Sequence, residues 1–112
     1  MLSALVGLAV AGAACSGREE PRPILVEGST VTVQNLTPDG WRGVEVWLNY
    51  QYRVTKPSMP AGERFGIPLN AFVAGFGQRF DPRRQVVQTI QVIAKTKSGA
   101  AVDLMYGSGA RH

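Results

Sequence analysis

Val44-Glu45-Val46-Trp47-Leu48-Asn49-Tyr50-Gln51-Tyr52-Arg53-Val54 alternates with period two from end to end, and its reading decides the fold. Val44, Val46, Leu48, Tyr50, Tyr52 and Val54 fall on one face. Glu45, Trp47, Asn49, Gln51 and Arg53 fall on the other, as in a strand buried on one side. At ~3.3 Å per residue the run would extend about 36 Å, twice the usual strand. A bend is therefore expected near Asn49, with the run serving two sheets or two successive strands. Trp47, on the polar face, requires a cover or is exposed for binding.

Outward from this run the same period recurs. Val31 and Val33 point one way and Thr30, Thr32 and Gln34 the other, before the turn signal Thr37-Pro38-Asp39-Gly40. Lys56-Pro57-Ser58-Met59-Pro60-Ala61-Gly62 reads as a loop. Phe65, Ile67 and Leu69 alternate again, and Pro68 points to an edge or a strand end. Phe72, Phe76 and Phe80 are spaced by four. Gly75, Gly77 and Pro82 limit any helix there to a turn or two capped by Asn70, with the rings plugging the open end of the core. Val86 to Ala94 reads as a central strand, joined through Lys97-Ser98-Gly99-Ala100 to a last strand carrying Val102, Leu104 and Tyr106.

Five to seven short strands and no sustained helical period predict an all-β fold: a small antiparallel β-sandwich with one short helical turn, over residues 24–108 with a tail at 109–112. The order of features resembles immunoglobulin-like or fibronectin-like domains, a resemblance that speaks to fold and not to function.

The beginning of the chain is of another kind. Ala4 to Ala14 carries no charge, and every Lys, Arg, Asp and Glu lies beyond Cys15. As a helix the uncharged run would reach about 16 Å, half a bilayer's hydrocarbon core, which suits the apolar region of a signal peptide. Gly12-Ala13-Ala14-Cys15 resembles the bacterial lipobox, although Gly12 stands where Leu is usual and Met1-Leu2-Ser3 has no basic residue. The resemblance implies a signal peptide at 1–14, acylation of Cys15, a tether over 15–23, and a place in the bacterial cell envelope, at either membrane. Ala11-Gly12-Ala13 also fits ordinary signal peptidase, which would give a soluble secreted protein, and a retained apolar tail is the third reading.

Of the 112 residues, 45% are hydrophobic and 18% charged, which argues against bulk disorder. The net charge of +4 permits contact with anionic surfaces without demanding it. One Cys allows no intramolecular disulfide. The single His is His112, the last residue, so His-based catalysis or metal binding has little to draw on. Asp39 and Asp103 read as solvated, and no phosphate loop is present. Asn35-Leu36-Thr37 matches a glycosylation sequon, without meaning in a bacterial protein.

The expectation is a non-enzymatic accessory module, without cofactor, metal or nucleic acid, anchored to a membrane through Cys15. It would recognise a protein partner through a sheet edge or an exposed aromatic such as Trp41 or Trp47. The alternative is an anionic glycan- or lipid-binding module. Arg79, Arg83 and Arg84 would grip phosphates there while Phe76 or Phe80 stacks.

Overall fold

The computed structural model describes residues 22–107. The expected signal segment, Cys15, most of the tether, the tail and His112 lie outside the described residues. Among the described residues eight strands form: β1 (Ile24–Glu27), β2 (Thr30–Gln34), β3 (Trp41–Leu48), β4 (Tyr52–Met59), β5 (Arg64–Pro68), β6 (Val73–Ala74), β7 (Thr89–Thr96) and β8 (Ala101–Gly107). One antiparallel sheet has the order β1-β2-β5 and the other β6-β4-β3-β7-β8. Their inner faces share one core, which contains Val31, Val33, Val44, Val46, Leu48, Ile67, Phe72, Ile90 and Val92. The protein is an all-β sandwich, and among the described residues its one helical element is a 3-10 turn at Leu69–Ala71.

The deciding run does split into two successive strands, both in the larger sheet. Leu48 and Tyr52 are register partners, and Gln51 N–H donates to Leu48 O at 3.1 Å. Asn49 and Tyr50 between them have φ of 51° and 62°. Positive φ at both central residues is the mark of a type I′ turn, whose twist matches the flanking strands. Alternation is lost at the turn, so Tyr50 is not on the inner face as its position in the run implied. It is 57% exposed.

A second local device moves Trp41. In β3, Gly43 and Val44 together stand opposite Ala94 of β7, because the register shifts by one between Arg42 and Glu45. Gly43 has φ of 60°, which makes this a bulge of the kind that begins with a left-handed glycine. The extra residue changes parity, so Trp41 and Val44 face inward together. Trp41 is 1% exposed, which corrects its expected place on the surface.

Other expectations are also corrected. β4 continues through Pro57 to Met59 where a loop was expected, because Pro57 lies beyond the two residues of β4 that pair with β6 and so meets an open edge. Asn70 lies inside the 3-10 turn and caps nothing; Pro68 occupies the cap position without a side-chain bond. The three phenylalanines are not on a helix. Phe80 N–H donates to Phe72 O at 2.9 Å, and both rings are buried, while Phe76 sits between them on the tip of a hairpin. β7 is a central strand, as expected, but begins at Thr89, leaving Val86 70% exposed.

The connections gather at two poles. Gln34 N–H donates to Pro23 O and Asn35 N–H to Glu63 O, so the chain's approach to β1, the loop 35–40 and the turn 60–63 share the proximal pole. Pro38, Pro60 and Lys97 line one concavity, which adds the β7–β8 turn to that pole. Leu69 N–H donates to Ser29 O, and Asn49 N–H to Thr89 O, placing the β1–β2 and β3–β4 turns at the distal pole with residues 69–88.

Buried Asn35 organises the proximal pole. Its Nδ2 donates to Asp39 O at 2.8 Å and Met59 O at 3.0 Å, and its Oδ1 accepts from Thr37 N–H and Oγ1. Both amide hydrogens of this sequon asparagine are therefore committed to the fold.

Candidate partner-binding surface

The distal pole carries three large apolar side chains in water: Tyr50 at 57% exposure, Val86 at 70% and Phe76 at 74%. Single exposed apolar residues are ordinary, but three at one end of a small sandwich are not. Asn49 fixes two of them together, since its Nδ2 donates to Val86 O at 2.9 Å beside Tyr50. Phe76 joins them through β6. Tyr52 pairs with Ala74 and Arg53 with Val73, so the hairpin that carries Phe76 leaves the sheet beside the end of β4 that follows the Tyr50 turn. The hairpin holding Phe76 is closed by Ala74 N–H to Gln78 O and Gly77 N–H to Ala74 O, both 2.8 Å.

Next to this group stands the arginine loop. Asp81 orders it: its Oδ1 accepts from Arg83 N–H, and its carbonyl accepts from Arg84 and Gln85 N–H. Gln85 ties the loop to the core, donating from Nε2 to the Tyr52 hydroxyl at 3.0 Å, while Tyr52 packs edge-on against Phe80. Arg83 and Arg84 approach the Asp81 carboxylate at 3.9 and 3.6 Å and remain largely in water. Ion pairs this exposed contribute about 0–1 kcal/mol, so both guanidinium groups stay available. Arg79 donates to Asn70 O at 3.3 Å and shares with Arg83 a concavity of about 570 Å³.

The residues singled out in the sequence thus separate. Phe76, Arg79, Arg83 and Arg84 reach solvent at the distal pole. Trp41 and Phe80, each 1% exposed, are part of the core. Trp47 has found its cover. Its Nε1 donates to Glu45 Oε1 at 3.0 Å, and the Arg53 guanidinium lies 5.3 Å from its ring centre. These contacts leave it half-buried on the outer sheet face, above a concavity of about 420 Å³ shared with Gln51 and Gly75.

Tyr50 and Val86 were missed. The signal for Tyr50 was present in the length of the run: a stretch twice as long as a strand must turn, and Asn49 is the residue in it that best tolerates positive φ. Its neighbour then lies at the tip. Among the described residues, no group of three His, Cys, Asp or Glu is placed to hold a metal, and no helix is long and apolar enough to cross a membrane. Compared with protein-family models, with curated proteins and with solved structures, the chain matches none.

Proposed function

We propose that the domain is a non-enzymatic protein-binding module of the bacterial cell envelope, held at a membrane through a lipid on Cys15, that meets its partner with the distal pole. Tyr50, Phe76 and Val86 would dock on apolar surface, with Arg79, Arg83 and Arg84 on an acidic rim. Aromatic residues and Arg are the types that dominate binding at such interfaces. The observation that carries this reading is the conformation of Tyr50. A bulky residue at φ of 62° costs about 1 kcal/mol relative to Gly or Asn, and the ring gains little from the core in return. Strain of this kind collects where a side chain is held for use.

The strand order supports reading the sandwich as immunoglobulin-like. Taken as A, B, C, C′, E, F and G, strands β1, β2, β3, β4, β5, β7 and β8 form sheets A-B-E and C′-C-F-G, the fibronectin-like variant. Domains of this architecture serve many roles, so the strand order supports the fold reading alone.

The test is a photo-crosslinking residue at Val86 in the living cell, with and without Tyr50→Asn. A discrete adduct with one protein, lost in Y50N while the domain stays folded, is the expected result. Adducts indifferent to Tyr50 would overturn the reading. The second reading, an anionic glycan or lipid at the arginine loop, keeps Arg79 and Arg83 but loses Phe80 as a stacking surface. It requires polyanion binding whose salt dependence flattens when Arg79, Arg83 and Arg84 are changed to Ser.

A further inference from the structure

The outer face of the larger sheet holds a different feature at the opposite, proximal pole. Where β3 bulges at Gly43, the sheet surface dips into a concavity of about 570 Å³, bounded by Arg42, Glu45, Ile93, Lys95, Lys97 and Ala101. That volume lies within the usual range for a small-molecule site. Its floor is apolar. Ile93 is 37% exposed on this face, and Gly43, with open space where a side chain would stand, adds no bulk.

Its rim is basic. Arg42 and Lys95 are register partners across β3 and β7, and Lys95 is in turn opposite Ala101 of β8. Lys97 follows in the turn. Arg42 donates to Lys97 O at 3.2 Å, which holds that wall in place. The turn itself is fixed by Thr96 N–H to Ala100 O, Gly99 N–H to Thr96 O and Ala100 N–H to Thr96 Oγ1. Three cations thus converge on one rim, against two nearby carboxylates that are each hydrogen-bonded to a neutral side chain. Glu45 accepts from Trp47 Nε1, and Asp103, opposite Ile93, accepts from Gln91 Nε2 at 3.1 Å.

We infer that this concavity binds the headgroup of an anionic phospholipid, with the phosphate between Arg42, Lys95 and Lys97 and the glycerol and first methylenes on Ile93 and Ala101. A free phosphate would use the rim and leave the apolar floor idle. An uncharged apolar ligand would leave three cations without a partner, and the lipid uses both. The chain also approaches β1 at this pole, Gln34 Nε2 donating to Arg22 O at 3.0 Å.

The test uses the full-length chain and amide NMR, titrated with dihexanoylphosphatidylglycerol below its micelle concentration. The parallel titrants are dihexanoylphosphatidylcholine and inorganic phosphate. Saturable shifts centred on Gly43, Ile93, Lys97 and Gly99 are expected with the glycerol lipid alone. Binding should weaken at least about tenfold in K95Q/K97Q, as loss of hydrogen bonds from charged donors implies. It should be unchanged in R22Q/R64Q, which removes as much charge from exposed positions at the smaller sheet. Equal weakening in both variants would overturn the site in favour of diffuse charge. Equal binding of phosphate or of the choline lipid would overturn the ligand. Because no protein partner enters these titrations, their failure leaves the distal-pole reading standing.

Discussion

Asn49 and Thr89 hold each other in both directions: Asn49 N–H donates to Thr89 O at 2.8 Å, and Thr89 N–H donates to Asn49 Oδ1 at 3.1 Å. The same Oδ1 accepts from Gln88 N–H at 2.7 Å, and Nδ2 reaches Val86 O. One side chain at the tip of a hairpin therefore satisfies three backbone groups of the segment leading into β7. It builds the turn that exposes Tyr50 and fastens Val86 beside it, so the fold's local geometry and the candidate surface have a common origin.

Asn49→Gly separates the two roles. Glycine accepts φ of 51° without strain but leaves Gln88 and Thr89 N–H without their acceptor, Thr89 being buried. An unsatisfied buried donor costs about 1–3 kcal/mol. At about 4–8 °C per kcal/mol for a domain of this size, a clear fall in Tm is expected by calorimetry. Asn49→Ala should fall further, since it adds the penalty for a side chain at positive φ.

How much of this was legible depended on whether period two continued. Val31, Val33, Ile90 and Val92 were read correctly as core because their strands run without interruption. Trp41 was misread because its inward direction is set by the bulge at Gly43, a shift of register against β7 that no local pattern announces. Phe72, Phe76 and Phe80 were misread as one set because a spacing of four fits a helix face and also a tight hairpin. The pairing of Phe80 with Phe72 is a contact between two strands of chain, and spacing along one strand does not encode it. The arginine loop was found from composition. Its order, set by Asp81 and Gln85, was not.

Tyr50→Asn should raise stability. Asn suits the left-handed region better than Tyr, and the lost ring, 57% exposed, is not part of the core, so a gain of about 0.5–1 kcal/mol is expected in urea unfolding. A variant more stable and less able to hold its partner is the signature of a residue kept for binding. A loss of stability would mean that the ring packs against the fold.

Trp41→Phe sets two effects of similar size against each other. The Trp41 Nε1 is buried without a hydrogen-bond partner among the described residues, and removing it relieves about 1–3 kcal/mol. The smaller ring leaves a gap costing about 1 kcal/mol at ~24 cal/mol per Å³. The net change by chemical unfolding should run from about zero to a gain of about 2 kcal/mol, whereas Trp41→Ala should cost about 3–5 kcal/mol. Neither variant should alter surface binding while folded.

Gly107→Ala should be the most damaging of these small changes, because three features converge on it. Gly107 has φ of 101°, where a side chain is strained in any surroundings. A Cβ built there would also run into the carbonyl of Gln88. That carbonyl has little room to retreat, since Gln88 N–H is held by Asn49 Oδ1 and Thr89 is paired with Gly107 across β7 and β8. Gly43→Ala provides the contrast: its φ of 60° is also positive, but nothing lies within 4 Å of the added carbon, so only the backbone penalty of about 1 kcal/mol applies. Overpacking against a fixed backbone adds a further 1–3 kcal/mol or so at Gly107. Urea unfolding of the two variants should therefore separate them by more than about 1 kcal/mol, with Gly107→Ala the weaker. Similar losses in both would show that Gln88 can move, and that the clamp from Asn49 is looser than its hydrogen bonds imply.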